Sequence, residues 1–172
     1  NRNYLLLGVP TVGLKHPHRS ALKIIELVVG MGASGRLYRR LRQALGLVYN
    51  VNVVSSVYED TGFLAVHAVC EPEKLTVVQD VILDMWGEIR ENGITEEELN
   101  AAKGNYAGTL ARRFETNLSV AGIFGIEGLL HDVEPFEAAI TRINSVTPKE
   151  VIQAARHYLR EEGYVLVTAG RS

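Results

Sequence analysis

Three glycines in the first quarter of the chain have the spacing of a phosphate-binding loop. Gly30, Gly32 and Gly35 follow the order G-x-G-x-x-G and lead into an arginine-rich stretch. Glycines at this spacing let a backbone approach a pyrophosphate at a helix N-terminus. A dinucleotide site also needs a strand before the loop and an acidic residue about 20 residues later. The first acidic residues after the loop, Glu59 and Asp60, come about 30 residues past Gly30. Nucleotide binding is therefore a remote alternative to a simple turn.

The arginines behind the glycines have the chemistry to neutralise phosphates, because Arg36, Arg39 and Arg40 share one face of a helix. Stacking aromatic residues are sparse around them, and the whole chain carries a formal net charge of −2. A chain of this charge lacks the field that gathers a nucleic acid. We therefore expect a solvated charged face and no nucleic-acid partner.

Arg42 differs from the other arginines in its direction. At about 100° per residue, it points away from Arg36 and Arg40 and lies at the edge of an apolar stripe. That stripe consists of Tyr38, Leu41 and Leu45. A charge beside a buried seam needs a partner, and the pattern leaves an internal ion pair and a functional role equally open. Tyr49 follows seven residues later, past a turn at Gly46, so the next strand can bring its phenol near the same surface.

Metal chemistry is not predicted for this chain. Its histidines lack the i, i+4 helical spacing that places two imidazoles on one metal ion. They are His16, His18, His67, His131 and His157. The segment 131–134 begins like an H-x-x-E-H motif, but Pro135 stands in place of the second histidine, and we expect a helix end and a loop there. His16 and His18 are expected to be cap or surface residues, with adventitious metal binding as the alternative. His67 is expected to be a packed or hydrogen-bonded imidazole within a strand.

Length and composition predict a single domain over residues 1–172. The chain is 47% apolar and 22% charged, which is ordinary for a globular core. No run approaches the roughly 20 apolar residues of a membrane-spanning helix, so we expect a soluble protein of the bacterial cytoplasm or periplasm, without membrane insertion. The single cysteine, Cys70, excludes an internal disulfide and lies in an apolar run where burial is expected. The chain begins without methionine, and we expect it to be excised from, or partnered with, another domain.

The first part of the chain predicts a strand and two helices. Residues 4–12 form an apolar run typical of a first strand, and 17–30 recur at helical spacing with Pro17 in the first turn. A strand over 24–29 is the competing interpretation, because short β-branched runs are ambiguous. The second helix ends where Gly46 adopts a left-handed conformation. Its apolar side is lined by Leu37, Tyr38, Leu41 and Leu45.

The rest of the chain predicts a hairpin followed by helices. The elements are a hairpin over 48–57 and 61–70, a helix over 72–90 that Asn92-Gly93 ends, helices over 117–131 and 135–144, and a strand over 164–169. Capping boxes start two more helices, Thr95 with Glu98 and Thr147 with Glu150. Helices grouped after a hairpin favour an α+β fold. We expect a two-layer sandwich in which helices pack on an antiparallel sheet of about four strands.

Four ordered segments of the chain resemble one family of zinc metallopeptidases. They are GASGRLYRRLRQALGLVYNV, YEDTGFLAVHAVCEPEKL, GITEEELNAAKGNY and VTPKEVIQAARHYL, and together they run through nearly the whole chain. They resemble the second, so-called inactive domain of the pitrilysin and mitochondrial processing peptidase family. Four blocks in the same order are more specific than any one of them.

The resemblance implies two domains of one fold that enclose a chamber. The catalytic domain carries an inverted zinc motif, H-x-x-E-H, with a further glutamate downstream. The second domain supplies an arginine and a tyrosine, seven residues apart across a helix-to-strand turn, that reach the main chain of the substrate near the scissile bond. Arg42 and Tyr49 match that pair in order, spacing and context. Their guanidinium and phenol would bind a peptide carbonyl or stabilise the oxyanion.

The resemblance therefore implies the non-catalytic half of a zinc endopeptidase, with Arg42 and Tyr49 as substrate-binding residues and no metal ligand of its own. Zinc and the general base would belong to the partner catalytic domain or subunit, and the substrate would be an extended peptide. Alone, the chain should bind no zinc stoichiometrically and cleave nothing. The alternative is a catalytically silent scaffold or assembly subunit, since members of the family have lost proteolysis and a fold does not imply an activity.

Overall fold

The computed structural model describes residues 2–128 and 133–170. Segments in which buried and exposed residues alternate form the strands of one antiparallel sheet. Its strands are β1 (Asn3–Val12), β2 (Val48–Val57), β3 (Thr61–Cys70) and β4 (Val165–Ala169). They lie in the order β2-β3-β1-β4, and neighbours are antiparallel. The predicted hairpin is confirmed at both of its strands, and β4 begins one residue later than predicted.

One face of the sheet packs against helices, and several side chains on the other face are exposed. Along β1, Leu5 and Leu7 are buried in the core, whereas the intervening Tyr4 and Leu6 are 50% and 39% exposed. Leu7 lies opposite Val66 of β3, which is also buried. The predicted α+β architecture is thus confirmed, with the sheet as one layer and helices as the other.

Helices lie on both sides of the hairpin in the sequence. They are α1 (Arg19–Gly30), α2 (Leu75–Asn92), α3 (Glu96–Arg113), α4 (Asn117–Gly122), α5 (Phe136–Asn144) and α6 (Pro148–Tyr158). Two segments are π-helices, Tyr38–Ala44 and Ile123–Glu127, and two are short 3-10 turns, Gly32–Ser34 and Pro72–Lys74. The helix predicted over 117–131 is thus an α-helix continued by a π-helix, and its last residues lie outside the described ones. Within residues 2–128 and 133–170, no helix has the length and apolar character needed to cross a membrane.

Side-chain caps fix where two helices begin, as predicted. The Thr95 hydroxyl accepts a hydrogen bond from the backbone N–H of Glu98 at 3.1 Å, and the Glu98 carboxylate accepts one from the Thr95 N–H at 2.9 Å. Thr147 and Glu150 form the same reciprocal pair at the start of α6. Each pair satisfies two N–H groups that a helix start leaves without intrahelical partners.

Details of the first helices differ from the prediction. α1 begins at Arg19, and Pro17 lies before it in a turn closed by the Arg19 N–H and the His16 carbonyl at 3.1 Å. The strand interpretation of 24–29 is wrong, because these residues are helical. Leu45 is 50% exposed. A π-helix has a wider turn than an α-helix, so it rotates by less than 100° per residue and moves Leu45 off the predicted stripe.

The core between the two layers consists of aliphatic side chains around one tryptophan, Trp86 of α2, which is 1% exposed. Its largest fully buried members besides Trp86 include Leu5, Leu7, Ile24, Ile25, Leu37, Leu41, Ile82 and Ile89. Cys70 is also fully buried, as expected, and burial raises the pKa of its thiol. It therefore serves as a small apolar core residue.

Two of the three arginines behind the glycine loop, Arg36 and Arg40, are paired with carboxylates, which corrects the prediction of a solvated face at those positions. Arg36 donates two hydrogen bonds to the carboxylate of Glu98, both at 2.7 Å, and each of the two side chains is 19% exposed. Arg40 donates to Glu88 of α2. The guanidinium of Arg39 lies 4.0 Å from Glu98, and the Arg39 side chain is 56% exposed. Because Glu98 also caps α3, the Arg36 pair ties the segment before the π-helix to the start of α3.

Removing Arg36 should destabilise the domain. Arg36→Ala leaves the partly buried Glu98 carboxylate without its bidentate partner, and we expect the free energy of unfolding to fall by about 2 kcal/mol. Arg39→Ala removes an equal charge from an exposed position and should cost less than about 0.5 kcal/mol. Urea denaturation of both variants measures the difference, and equal losses would contradict a specific Arg36–Glu98 contribution.

The same pair should make stability depend on pH. Hydrogen bonds from Arg36 hold the pKa of Glu98 below its usual range. A carboxyl whose pKa is lower in the folded state stabilises the fold above its unfolded pKa, and that contribution is lost as pH falls through the folded value. The deficit of Arg36→Ala relative to the unmodified chain should therefore be complete at neutral pH and shrink in acid.

Candidate functional site

The glycine loop is a turn in which two backbone donors, those of Ser34 and Gly35, are already used. Gly30 is the last residue of α1, so the loop follows a helix instead of a strand. The N–H groups of Ser34 and Gly35 both donate to the carbonyl of Met31, at 3.2 and 3.0 Å. A phosphate site needs such N–H groups directed at the anion. At Gly30, a Cβ would lie 2.5 Å from the side chain of Val53, so this glycine lets α1 pack closely on β2.

Arg42 lies on the first π-helix, directly after the buried Leu41. π-helical turns are rare in proteins, and those that do occur often lie at functional sites. A hydrogen bond from the Leu47 N–H to the Leu41 carbonyl, at 2.9 Å, closes the segment that follows. Gly46, within that segment, has a φ of 59°, a left-handed conformation in which a Cβ is strained. Gly46 thus ends the helix as predicted.

Tyr49 is the extra residue of a β-bulge at the start of β2. Val48 lies opposite Cys70, and Asn50 lies opposite the preceding residue of β3, so the register shifts by one between them. Val48 is 2% exposed, whereas Tyr49 is 45% exposed. An unbroken alternation would place Tyr49 on the same face as Val51, which points to the core. The bulge buries Val48 in its place and turns the phenol outward.

A hydrogen bond links the side chain of Arg42 to the backbone of the bulge. Nη1 of Arg42 donates to the carbonyl oxygen of Val48 at 2.7 Å, and Val48 directly precedes Tyr49. Within the described residues Arg42 forms no ion pair, so the partner required by its charge is a backbone carbonyl. A guanidinium carries five N–H donors, and the exposed side chain of Arg42 keeps most of them for a further acceptor.

The phenol of Tyr49 is surrounded by charged side chains at this end of the sheet. Its hydroxyl donates to Oε1 of Glu71 at 3.1 Å, and Cζ of Arg2 lies 5.1 Å from the centre of its ring. Nζ of Lys74 lies 3.0 Å from Oε2 of Glu71. Hydrogen bonds from Lys74 and then from Tyr49 hold the pKa of Glu71 below its usual range, so Glu71 is an ionised acceptor at neutral pH.

Histidines cluster at the far end of β1 from Arg42 and Tyr49. The ring centres of His16 and His18 lie 5.0 Å apart, and those of His18 and His157 lie 6.1 Å apart. Burial, followed by the two neighbouring imidazoles, lowers the pKa of His18. In the part of the chain that the structure describes, no group of three or more His, Cys, Asp or Glu side chains is placed to hold a metal ion.

The remaining singled-out positions have structural partners. His67 Nδ1 lies 3.0 Å from Oδ1 of Asn52, which confirms a hydrogen-bonded histidine within a strand. Residues 131 and 132 of the H-x-x-E-like segment lie outside the described residues. Its carboxylate, Glu134, accepts hydrogen bonds from Arg142 at 2.7 and 2.8 Å, and these hold the pKa of Glu134 below its usual range.

The chain is thus an α+β domain that presents hydrogen-bond donors at one end of its sheet. Residues 1–106 match the sequence profile of the peptidase M16 inactive domain. Because the match covers more than half of the chain, the chain belongs to the peptidase M16 inactive-domain family, as the resemblance implied.

Relatives agree with this membership, and a solved structure shares the fold. An uncharacterised zinc protease of Mycobacterium bovis is 33% identical over 159 residues, which is 92% of this chain and 36% of that protein. The cytochrome b-c1 complex subunit 1 of Caenorhabditis elegans mitochondria is 26% identical over 90% of this chain and 35% of that protein. A protease from Helicobacter pylori shares the fold with a TM-score of 0.87 and 19% identity, over 97% of this chain and 40% of that chain. The chain therefore spans between 35% and 40% of the length of these proteins.

Two parts of the site, the β-bulge and Glu71, were not predicted from the sequence. The bulge gives no pattern of its own, because VYNVNVV is also compatible with an unbroken strand that has Tyr49 on the core face. Glu71 did have an available signal, since the predicted hairpin places residue 71 beside the start of β2. Pairing the two predicted strands residue by residue puts Tyr49 opposite Val69, two positions from Glu71 along the same strand direction.

Metal analysis of the purified chain should show well under one zinc ion per molecule. The histidine cluster is the most plausible adventitious site, so the double variant His16→Ala, His18→Ala should remove most of any trace. Inductively coupled plasma mass spectrometry after dialysis measures both proteins. One tightly held zinc per chain would mean that the histidines were misinterpreted.

Proposed function

We infer that this chain is the non-catalytic half of a zinc-dependent endopeptidase and that it orients an extended peptide through Arg42 and Tyr49. The observation that carries the inference is that two exposed donors flank one bulge, with Arg42 Nη1 bound to the carbonyl of the residue before Tyr49 at 2.7 Å. Membership in the peptidase M16 inactive-domain family supports it. So does the zinc protease of Mycobacterium bovis, which is longer than this chain.

The two side chains suit the main chain of a peptide. The guanidinium is permanently charged and has donors in a fixed fork, so it binds a carbonyl oxygen with a charge-assisted hydrogen bond. The phenol has one further donor, and a donor aimed at a developing oxyanion stabilises the transition state more than the ground state. Because both side chains are exposed, they can reach a peptide that lies between this domain and another.

In the proposed reaction, this chain and its partner supply different groups. The partner domain or subunit would supply a zinc ion, whose Lewis acidity polarises the scissile carbonyl and activates water, together with a glutamate as general base. This chain would close the chamber, fix the direction of the peptide with Arg42 and place the phenol of Tyr49 at the reacting carbonyl.

A scaffold or assembly role is the second candidate, and the likeness to cytochrome b-c1 complex subunit 1 of Caenorhabditis elegans favours it. The two candidate functions predict different companion domains. The remainder of the parent gene, or a neighbouring gene, should encode an H-x-x-E-H motif if the assembly is a peptidase. Sequencing the DNA on both sides tests this, and a companion domain without the motif would favour the scaffold.

In the complex with its catalytic partner, Arg42→Ala or Tyr49→Phe should lower peptide turnover by roughly 100-fold, the scale for losing one oxyanion-type donor. Tyr49→Phe is the cleaner of the two, because it removes a single hydroxyl from an exposed ring. Arg42→Ala also removes the bond to Val48, so thermal unfolding of that variant must accompany the kinetics.

Matched controls come from the same chain. Arg39 lies on the same π-helix and is 56% exposed, and Tyr58 lies beyond the other end of β2 and is 56% exposed. Arg39→Ala and Tyr58→Phe should keep turnover within about twofold. If Arg42→Ala and Tyr49→Phe behave like these controls, the pair does not belong to the site.

A further inference from the structure

The phenolic proton of Tyr49 is already donated within this chain. The hydroxyl lies 3.1 Å from Oε1 of Glu71, which is ionised and accepts the hydrogen bond. A phenol has one O–H donor, so the same proton cannot be donated to a second oxygen at the same time. A substrate carbonyl and the Glu71 carboxylate are therefore alternative acceptors for one donor.

We propose that Glu71 is an internal competitor for the phenolic donor of Tyr49, and that its hydrogen bond must break before the phenol binds a peptide oxygen. This inference rests on the proposed function, because it requires Tyr49 to donate to the substrate. In the free domain the carboxylate occupies the place of the peptide oxygen. When an extended peptide enters, its carbonyl displaces Glu71 from the hydroxyl.

The surroundings of Glu71 allow this exchange without leaving a charge unpaired. Lys74 binds the other carboxylate oxygen at 3.0 Å, so Glu71 keeps a cationic partner after the phenol has left. The side chains of Glu71 and Lys74 are 42% and 35% exposed, and water can replace the lost hydrogen bond. Tyr49 also keeps a second contact, because Cζ of Arg2 lies 5.1 Å from the centre of its ring, a cation–π arrangement that does not involve the hydroxyl.

The contact itself can be tested on the chain alone. The side-chain carboxyl of Glu71 is followed by nuclear magnetic resonance in protein labelled with ¹³C-glutamate. Tyr49→Phe removes one of the two hydrogen bonds that lower the pKa of Glu71, and should raise that pKa toward its usual range. Lys74→Ala removes the stronger cause and should raise the pKa further, whereas Tyr58→Phe should leave it unchanged. A Glu71 pKa unaffected by Tyr49→Phe would overturn the proposal.

Competition is tested with the catalytic partner present and a quenched fluorescent peptide that the complex cleaves. Glu71→Ala should lower the KM by about three- to tenfold, the weight of one solvent-accessible hydrogen bond. Glu71→Gln keeps the shape but is a weaker acceptor, and should lower the KM by a smaller factor. In a Tyr49→Phe background Glu71→Ala should no longer change the KM. Glu73→Ala removes an equal charge from a neighbouring exposed residue and should not reproduce the effect.

The remaining outcomes are distinct. A fall in KM that persists in the Tyr49→Phe background would show general charge repulsion of the peptide and overturn the competition. A higher KM or a lower kcat in Glu71→Ala would make Glu71 a positioning residue for the phenol, which also overturns it. If Tyr49→Phe alone leaves turnover unchanged, the proposed function fails and the competition with it. If that variant lowers turnover while Glu71→Ala leaves the KM unchanged, only the competition fails.

Discussion

The register at the start of β2 is the constraint on which the candidate site depends. The core requires a small apolar side chain opposite the buried Cys70, and Val48 fills that position with 2% exposure. A tyrosine there would need far more volume in an interior that is closely packed. One inserted residue reconciles the two demands, because Val48 takes the core position and Tyr49 leaves the ladder.

Each candidate donor follows directly after a buried residue. Leu41 is fully buried before Arg42, and Val48 is buried before Tyr49. Two hydrogen bonds link these two pairs of residues. The Leu47 N–H donates to the Leu41 carbonyl at 2.9 Å, and Arg42 Nη1 donates to the Val48 carbonyl at 2.7 Å. The seven-residue step is therefore fixed by core packing and by its own hydrogen bonds. The backbone that carries the donors therefore needs little ordering on binding, although the phenol must still leave Glu71.

Local rules predicted the regular elements, and tertiary contacts decided the rest. The hairpin bounds and the capping boxes at Thr95 and Thr147 were predictable, because alternation and reciprocal caps involve residues close in sequence. The Arg36–Glu98 pair joins residues 62 apart, and no local pattern connects them. The π-helix was also beyond local rules, and it invalidated the 100° rotation used to place Leu45 and Arg42. The sequence indicated which residues form the candidate pair, but their surroundings depend on long-range packing.

The arrangement of polar groups limits what this domain can contribute to chemistry. Around the bulge, the described residues offer N–H and O–H donors from Arg42 and Tyr49, with the Glu71 carboxylate already bound to Lys74. Such groups can bind and polarise a carbonyl. The imidazoles of His16, His18 and His157 cluster at the other end of β1. A peptidase built on this domain would use these donors to orient a reacting carbonyl, and a scaffold built on it would use the same donors only to hold a chain.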